Sequence, residues 1–136
     1  MKWLLIICMF FLMSAETNCG NKKKTAELPE NCFKGKLEVK ANCMNYTVSI
    51  VSGNMDTSRY VASWTDEHSG KSYKNVFALG SRCNFPATIN EGDEFYFVID
   101  SSTVQDCAVC MMYYPVPSKQ LNIRVIQDPC TNNSSN

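Results

Sequence analysis

The sequence predicts an all-β fold: a single-domain antiparallel β-sandwich of about seven strands held by disulfides, with a small β-barrel as the alternative. Apolar and polar residues alternate with a period of two in most segments, as in half-buried strands. Turn-forming Gly, Asn, Ser and Pro separate these segments, and no helical periodicity lies between them. The 8 cysteines in 136 residues indicate covalent cross-links.

Each predicted strand rests on its own residue pattern. In 36–41 apolar and charged residues alternate strictly, whereas 94–99 and 107–114 are apolar on both faces, as is typical of strands covered on each side. The candidate strands are 36–41, 46–50, 60–65, 72–79, 94–99, 107–114 and 121–125. The aromatic residues expected in the core are Trp64, for which a ligand platform is the alternative, Phe77, Phe95 and Phe97.

The N-terminal residues predict secretion. Lys2 precedes an apolar run over 3–13, and the small residues Ser14 and Ala15 follow it, which is the order of a secretory signal peptide. Because a membrane helix needs roughly 20 apolar residues, this run predicts no membrane span. The expected organisation is a signal peptide over 1–15, a flexible polar arm over 16–31, the all-β domain over 32–130 and a disordered, glycosylatable tail over 131–136.

Six cysteines are expected to form disulfides in an oxidising compartment. Their spacing does not choose among the connectivities. Cys8 lies in the predicted signal peptide, and Cys19 has no partner in the set. Cys19 is therefore a free thiol, the link of a disulfide-bonded homodimer, or lost by cleavage beyond it. The six are Cys32, Cys43, Cys83, Cys107, Cys110 and Cys130.

The Cys107-Ala-Val-Cys110 spacing also occurs in redox dithiols and zinc sites. A redox pair needs its first thiol at a helix N-terminus, and a zinc site needs a second pair of ligands. The segment has strand character, and the chain has 1 histidine. We therefore expect Cys107 and Cys110 to join different disulfides, one on each side of the sheet.

Three asparagines stand in N-glycosylation sequons, which a secreted chain exposes to the glycosylation machinery. The sequon at Asn45 predicts that this edge of the domain faces solvent. The other two lie in the predicted tail. The acceptors are Asn45, Asn132 and Asn133.

Charge and residue content argue against several function classes. The formal net charge is 0, so the chain lacks the basic face that nucleic acid requires. His68 is the only histidine, and its neighbours Asp66 and Glu67 are expected at the polar tip of a turn rather than in a catalytic group. Asp100 and Asp106 are too few to hold calcium. No catalytic residue, cofactor or metal site is predicted.

A dense apolar and aromatic segment is the best candidate for binding. In 111–117, Tyr114, Pro115 and Val116 would form an exposed rim if the predicted strand ended in a loop, and Tyr and Met are enriched at interfaces. The alternative places Met111 and Tyr113 inward with Tyr114 on the surface.

Three functions fit these observations. The first is a secreted recognition protein without catalytic activity that binds an extracellular protein or a small ligand. The second is a secreted effector such as a protease inhibitor, a toxin or a defence factor. The third is a disulfide-linked matrix or mucus component, for which Cys19 would supply the bridge. An inhibitor would present a loop that resists cleavage, and a matrix protein would form multimers that reductant dissolves.

Overall fold

The computed structural model describes residues 28–102, 104–127 and 130. In this part of the chain there is no α-helix, and helical turns are limited to the 3-10 segments Asn42–Met44, Thr57–Arg59 and Arg82–Asn84. The strands are β1 (Phe33–Lys40), β2 (Tyr46–Ser52), β3 (Val61–Thr65), β4 (Ser72–Leu79), β5 (Glu94–Ile99), β6 (Gln120–Leu121) and β7 (Ile123–Ile126). The all-β class predicted from the alternating pattern is confirmed.

The strands form one sheet with the order β3-β4-β2-β1-β5-β7. β6 pairs with β4 in parallel and β7 pairs with β5 antiparallel, although only Asn122 separates β6 from β7. The same C-terminal segment therefore joins β4 to β5, and the pairings run in a closed circuit. The remaining pairings are antiparallel.

The core lies on the inner face of this sheet. On β1, buried and half-buried side chains alternate along the whole strand, as the sequence pattern predicts. The ring of Phe97 lies at its centre, with centroid distances of 5.5 Å to Phe33 and 5.8 Å to Phe77. The expected core positions of the three phenylalanines are confirmed. The core cluster is Phe33, Leu37, Val48, Met55, Phe77, Leu79, Phe95, Phe97 and Ile123.

Two sequence expectations about the fold are wrong. The segment 107–114 forms no strand, because its two cysteines form disulfides with cysteines in two separate turns. In addition, Pro115 and Pro117, which follow the segment, have no N–H for strand pairing. Trp64 is half-buried and stacks on Tyr73 with a centroid distance of 6.1 Å, but it lies outside the core cluster.

Three disulfides join the six predicted cysteines. Cys32–Cys130 links the start of β1 to the residues after β7. The other two hold the long connection between β5 and β6: Cys43–Cys110 ties it to the turn between β1 and β2, and Cys83–Cys107 ties it to the turn after β4. Cys107 and Cys110 therefore belong to different bridges, as expected, although they lie in a loop rather than a strand.

The predicted signal peptide, Cys19 and the tail with Asn132 and Asn133 lie outside the described residues, as does the arm up to residue 27. Of the arm, residues 28–31 are described. The Cys32 amide donates to the Pro29 carbonyl at 3.0 Å, and this turn leads directly into β1.

Candidate binding loop

The segment 107–114, named here the anchored loop, carries three of the five exposed large apolar side chains of the described chain. Met111 is 98% exposed, Tyr113 85% and Met112 59%. Their neighbour Tyr114 is half-buried. An isolated apolar side chain on a surface is ordinary, whereas three in succession make this loop the candidate binding site.

Disulfides hold the N-terminal half of the anchored loop against two different parts of the sheet. Cys107 is bonded to Cys83 and Cys110 to Cys43. Cys43 lies in the turn between β1 and β2, where Cys43 and Met44 have positive φ angles of 60° and 56°. Two covalent attachments within four residues limit the conformations that the loop can adopt.

The side chain of Asn45 forms a hydrogen bond to the backbone of the anchored loop. Its side chain is 7% exposed, and its Nδ2 donates to the carbonyl oxygens of Asn42 at 3.0 Å and Met112 at 3.3 Å. Asn45 itself is therefore buried, whereas Asn42 in the same turn is exposed. The side chain has a local structural role, since it connects the β1–β2 turn to the centre of the exposed patch.

Tyr114 anchors the C-terminal end of the loop to the hairpin between β3 and β4. Its hydroxyl donates to the Asp66 carboxylate at 3.2 Å, and its ring stacks on His68 with a centroid distance of 4.6 Å. Asp66 is only 2% exposed and also accepts hydrogen bonds from the Ser69 hydroxyl and the His68 amide. Asp66 is thus a buried acceptor within its turn rather than a solvated turn tip.

The pKa values of this pair shift in opposite directions. Burial raises the pKa of the Asp66 carboxyl, but the hydrogen bonds that its oxygens accept outweigh burial and hold that pKa below its ordinary value. Burial and the Asp66 charge raise the pKa of the Tyr114 hydroxyl. The pair is therefore an anion and a neutral donor over a wide range of pH.

The structure corrects the predicted rim. Tyr114, Pro115 and Val116 are half-buried, and the exposed patch lies just before them. The alternative, with Met111 and Tyr113 inward, is also wrong. A strand pattern places residues by alternation, whereas here the disulfides and the Tyr114–Asp66 hydrogen bond determine which side chains point outward.

The cysteines and the histidine that could suggest catalysis or a metal site have structural partners in this fold. No group of three metal-binding side chains occurs in 28–102, 104–127 and 130. Cys107 and Cys110 are bonded to other cysteines, so they are not a dithiol pair. His68 packs its ring against Tyr114, and the carboxylate beside it already accepts hydrogen bonds within its own turn.

Comparison with known proteins does not place the chain in a family. No family model matches it, and neither a curated protein nor a solved structure matches it significantly. Among the described residues, no helix is long and apolar enough to cross a membrane.

Proposed function

We propose that this chain is a secreted recognition protein without catalytic activity, which binds an extracellular partner protein through the anchored loop. One observation carries the proposal: Met111, Met112 and Tyr113 project from a loop that is fixed at both ends. Met and Tyr are enriched in the buried centres of protein interfaces and include common hot-spot residues.

Fixation of the loop supports this function energetically. Ordering a flexible loop on binding costs about 0.5–1.5 kcal/mol for each side chain that is immobilised, and much of that cost is absent when the loop is already held. The anchored loop is already held in the free protein by the disulfides of Cys107 and Cys110 and by the hydrogen bond of Tyr114.

The proposed compartment agrees with the covalent structure. Three intrachain disulfides, and the lack of a membrane-spanning helix among the described residues, are compatible with an extracellular protein. A reducing cytosol would open such bridges. The N-terminal segment with signal-peptide character supports the same compartment.

The test compares capture of extracellular proteins by immobilised wild-type chain and by the variant M111S/M112S/Y113S. The variant V51S is the matched control, because Val51 is also an exposed apolar residue but lies on β2. We expect a specific partner to be retained by wild type and V51S and to be lost by the triple variant. Equal retention by the triple variant, or no specific partner for wild type, would refute the proposal.

A further inference from the structure

We infer that the anchored loop binds the active-site cleft of an apolar-specific serine endopeptidase as a substrate-like inhibitor, with the Met111–Met112 peptide bond in the position of the scissile bond. The inference deepens the proposed function and rests on it, since it names the class of partner. It follows from the exposed side chains, the unpaired backbone and the anchors of the loop.

The loop projects apolar side chains outward, and a partner can bury such side chains only in a cleft or pocket of its own surface. Met111 is the most exposed large apolar residue of the described chain. An endopeptidase with an apolar primary pocket takes one such side chain into that pocket. Burial of a fully exposed methionine stabilises a complex by about 1.5–3 kcal/mol.

The backbone of the loop is free to pair with an enzyme. Within the described chain, no backbone N–H or C=O group between 107 and 116 bonds to another backbone group. Among the residues that the structure describes, the Met112 carbonyl accepts from the Asn45 side chain alone. Endopeptidase clefts bind extended substrate backbone by adding it as a strand, which requires such unpaired groups.

Anchors stand on both sides of the Met111–Met112 bond. Cys110, directly before it, is bonded to Cys43, and behind it the Met112 carbonyl is held by Asn45. The tether of Tyr114 lies two residues further on. These contacts would keep both ends of a cleaved bond in place.

This retention explains how a substrate-like loop inhibits rather than being consumed. Attack by the enzyme's serine oxygen breaks the Met111–Met112 amide: the Met111 carbonyl becomes a serine ester, and the serine proton passes through the enzyme's histidine to the Met112 nitrogen. Because that amine stays beside the ester, it attacks the ester and restores the peptide bond, and the proton returns to serine. Water reacts with the ester only slowly while the amine occupies the site.

Hydrolysis that does occur leaves a distinctive product. Water adds a hydroxyl to the Met111 acyl group and a proton to the enzyme, and the chain is cut between 111 and 112. The C-terminal piece keeps its link to the remainder through Cys32–Cys130. The cut protein therefore gains the mass of one water and separates into two pieces only on reduction.

The experiment titrates a chymotrypsin-type and a trypsin-type serine endopeptidase with the wild-type protein. We expect reversible inhibition of the chymotrypsin-type enzyme alone, with any slow cleavage confined to the Met111–Met112 bond. M111D should weaken inhibition at least about 100-fold, since it places a charge in an apolar pocket. M111K should transfer inhibition to the trypsin-type enzyme, whose pocket holds a carboxylate.

Two controls separate the role of the loop from loss of the fold. V51S should inhibit like wild type, and C43A/C110A should be cleaved quickly in the loop because one anchor is gone. Wild type that fails to inhibit, rapid cleavage of the intact loop, or M111K without activity against the trypsin-type enzyme would overturn the inference. If the triple variant still loses a captured partner in that case, the recognition function stands and only the partner class is wrong.

Discussion

At the residue scale, variants of Asn45 and Thr47 can distinguish a structural role of this sequon from a role in glycosylation. Both belong to one sequon, but Asn45 donates two hydrogen bonds whereas the buried Thr47 hydroxyl has no partner among the described residues. Loss of these two side-chain hydrogen bonds costs about 0.5–1.5 kcal/mol each. An unsatisfied buried hydroxyl is itself costly, by about 1–3 kcal/mol in mutational data.

We therefore expect N45A to lower the free energy of unfolding by about 1–3 kcal/mol and T47V to leave it unchanged or raise it. Each variant removes the sequon, and chemical denaturation measures the difference. If a glycan on Asn45 were what stabilises the domain, both variants would lose the same glycan mass and would be destabilised alike.

The Tyr114–Asp66 tether predicts a defined dependence on pH. The folded pKa of Asp66 is lowered from 3.8, so its contribution is complete above that value and is lost as pH falls through the folded pKa. The folded pKa of Tyr114 is raised from 10.0, so its contribution is complete below that value and is lost as pH rises through the folded pKa.

The tether should thus be intact at neutral pH and weaken only in strong acid or strong base. Y114F should cost about 1 kcal/mol at pH 7, as expected for a neutral hydrogen-bond donor removed from a partly buried site, and less in strong acid. Unfolding of wild type and Y114F at several pH values checks this. A difference that stays constant from pH 2 to pH 7 would contradict the assignment.

At the scale of elements, β1 depends on a glycine. A Cβ at Gly35 would lie 2.9 Å from Phe97 Cε1 and 3.0 Å from Val48 Cγ1, which is closer than side chains tolerate. Gly35 therefore lets the central phenylalanine ring pack directly on the strand, next to an irregularity in the β1–β2 register. We expect G35A to destabilise the protein by about 1–3 kcal/mol through overpacking.

Thermal unfolding measures this effect, with S63A as the control because Ser63 is exposed on β3. A surface substitution of that kind changes stability by less than about 0.5 kcal/mol. Equal melting temperatures for G35A and S63A would show that the ring and the strand are not in close contact.

The sequence predicts most elements because burial and alternation coincide in them. Along β1 the same residues are apolar, inward and buried. The 107–114 segment is mispredicted because apolar content on both faces favours a strand, whereas long-range disulfides determine its course. Trp64 is mispredicted because alternation does not reveal that its strand lies at the sheet edge.

At the scale of the whole molecule, the bridges close long stretches of chain. They join residues separated by 98, 67 and 24 positions. In the chain-entropy model each such loop contributes about 3–5 kcal/mol, which is large beside the about 5–15 kcal/mol stability of ordinary domains.

Reduction should therefore unfold the domain. Circular dichroism of the oxidised protein should show almost no α-helix, and the melting transition should disappear after reduction and alkylation. A reduced, alkylated protein that keeps its melting temperature would contradict this, and a strong helical double minimum would refute the architecture.

The candidate binding site was predictable only in part, because both local composition and long-range contacts determine it. The sequence identifies the apolar segment 111–117 as the binding candidate, since its composition is local information. It does not identify Met111 and Tyr113 as the outward side chains, because their exposure follows from partners far along the chain. Cys43 lies 67 positions before Cys110, and Asp66 lies 48 before Tyr114.

The most direct test of the central claim, that the anchored loop is the recognition surface, is oxidative footprinting of methionines with and without the captured partner. In the free protein, Met111 and Met112 should oxidise rapidly and the buried Met55 slowly. In the complex, we expect Met111 and Met112 to become protected while Met55 is unchanged. Equal oxidation of Met111 and Met112 in the free and bound protein would contradict the claim.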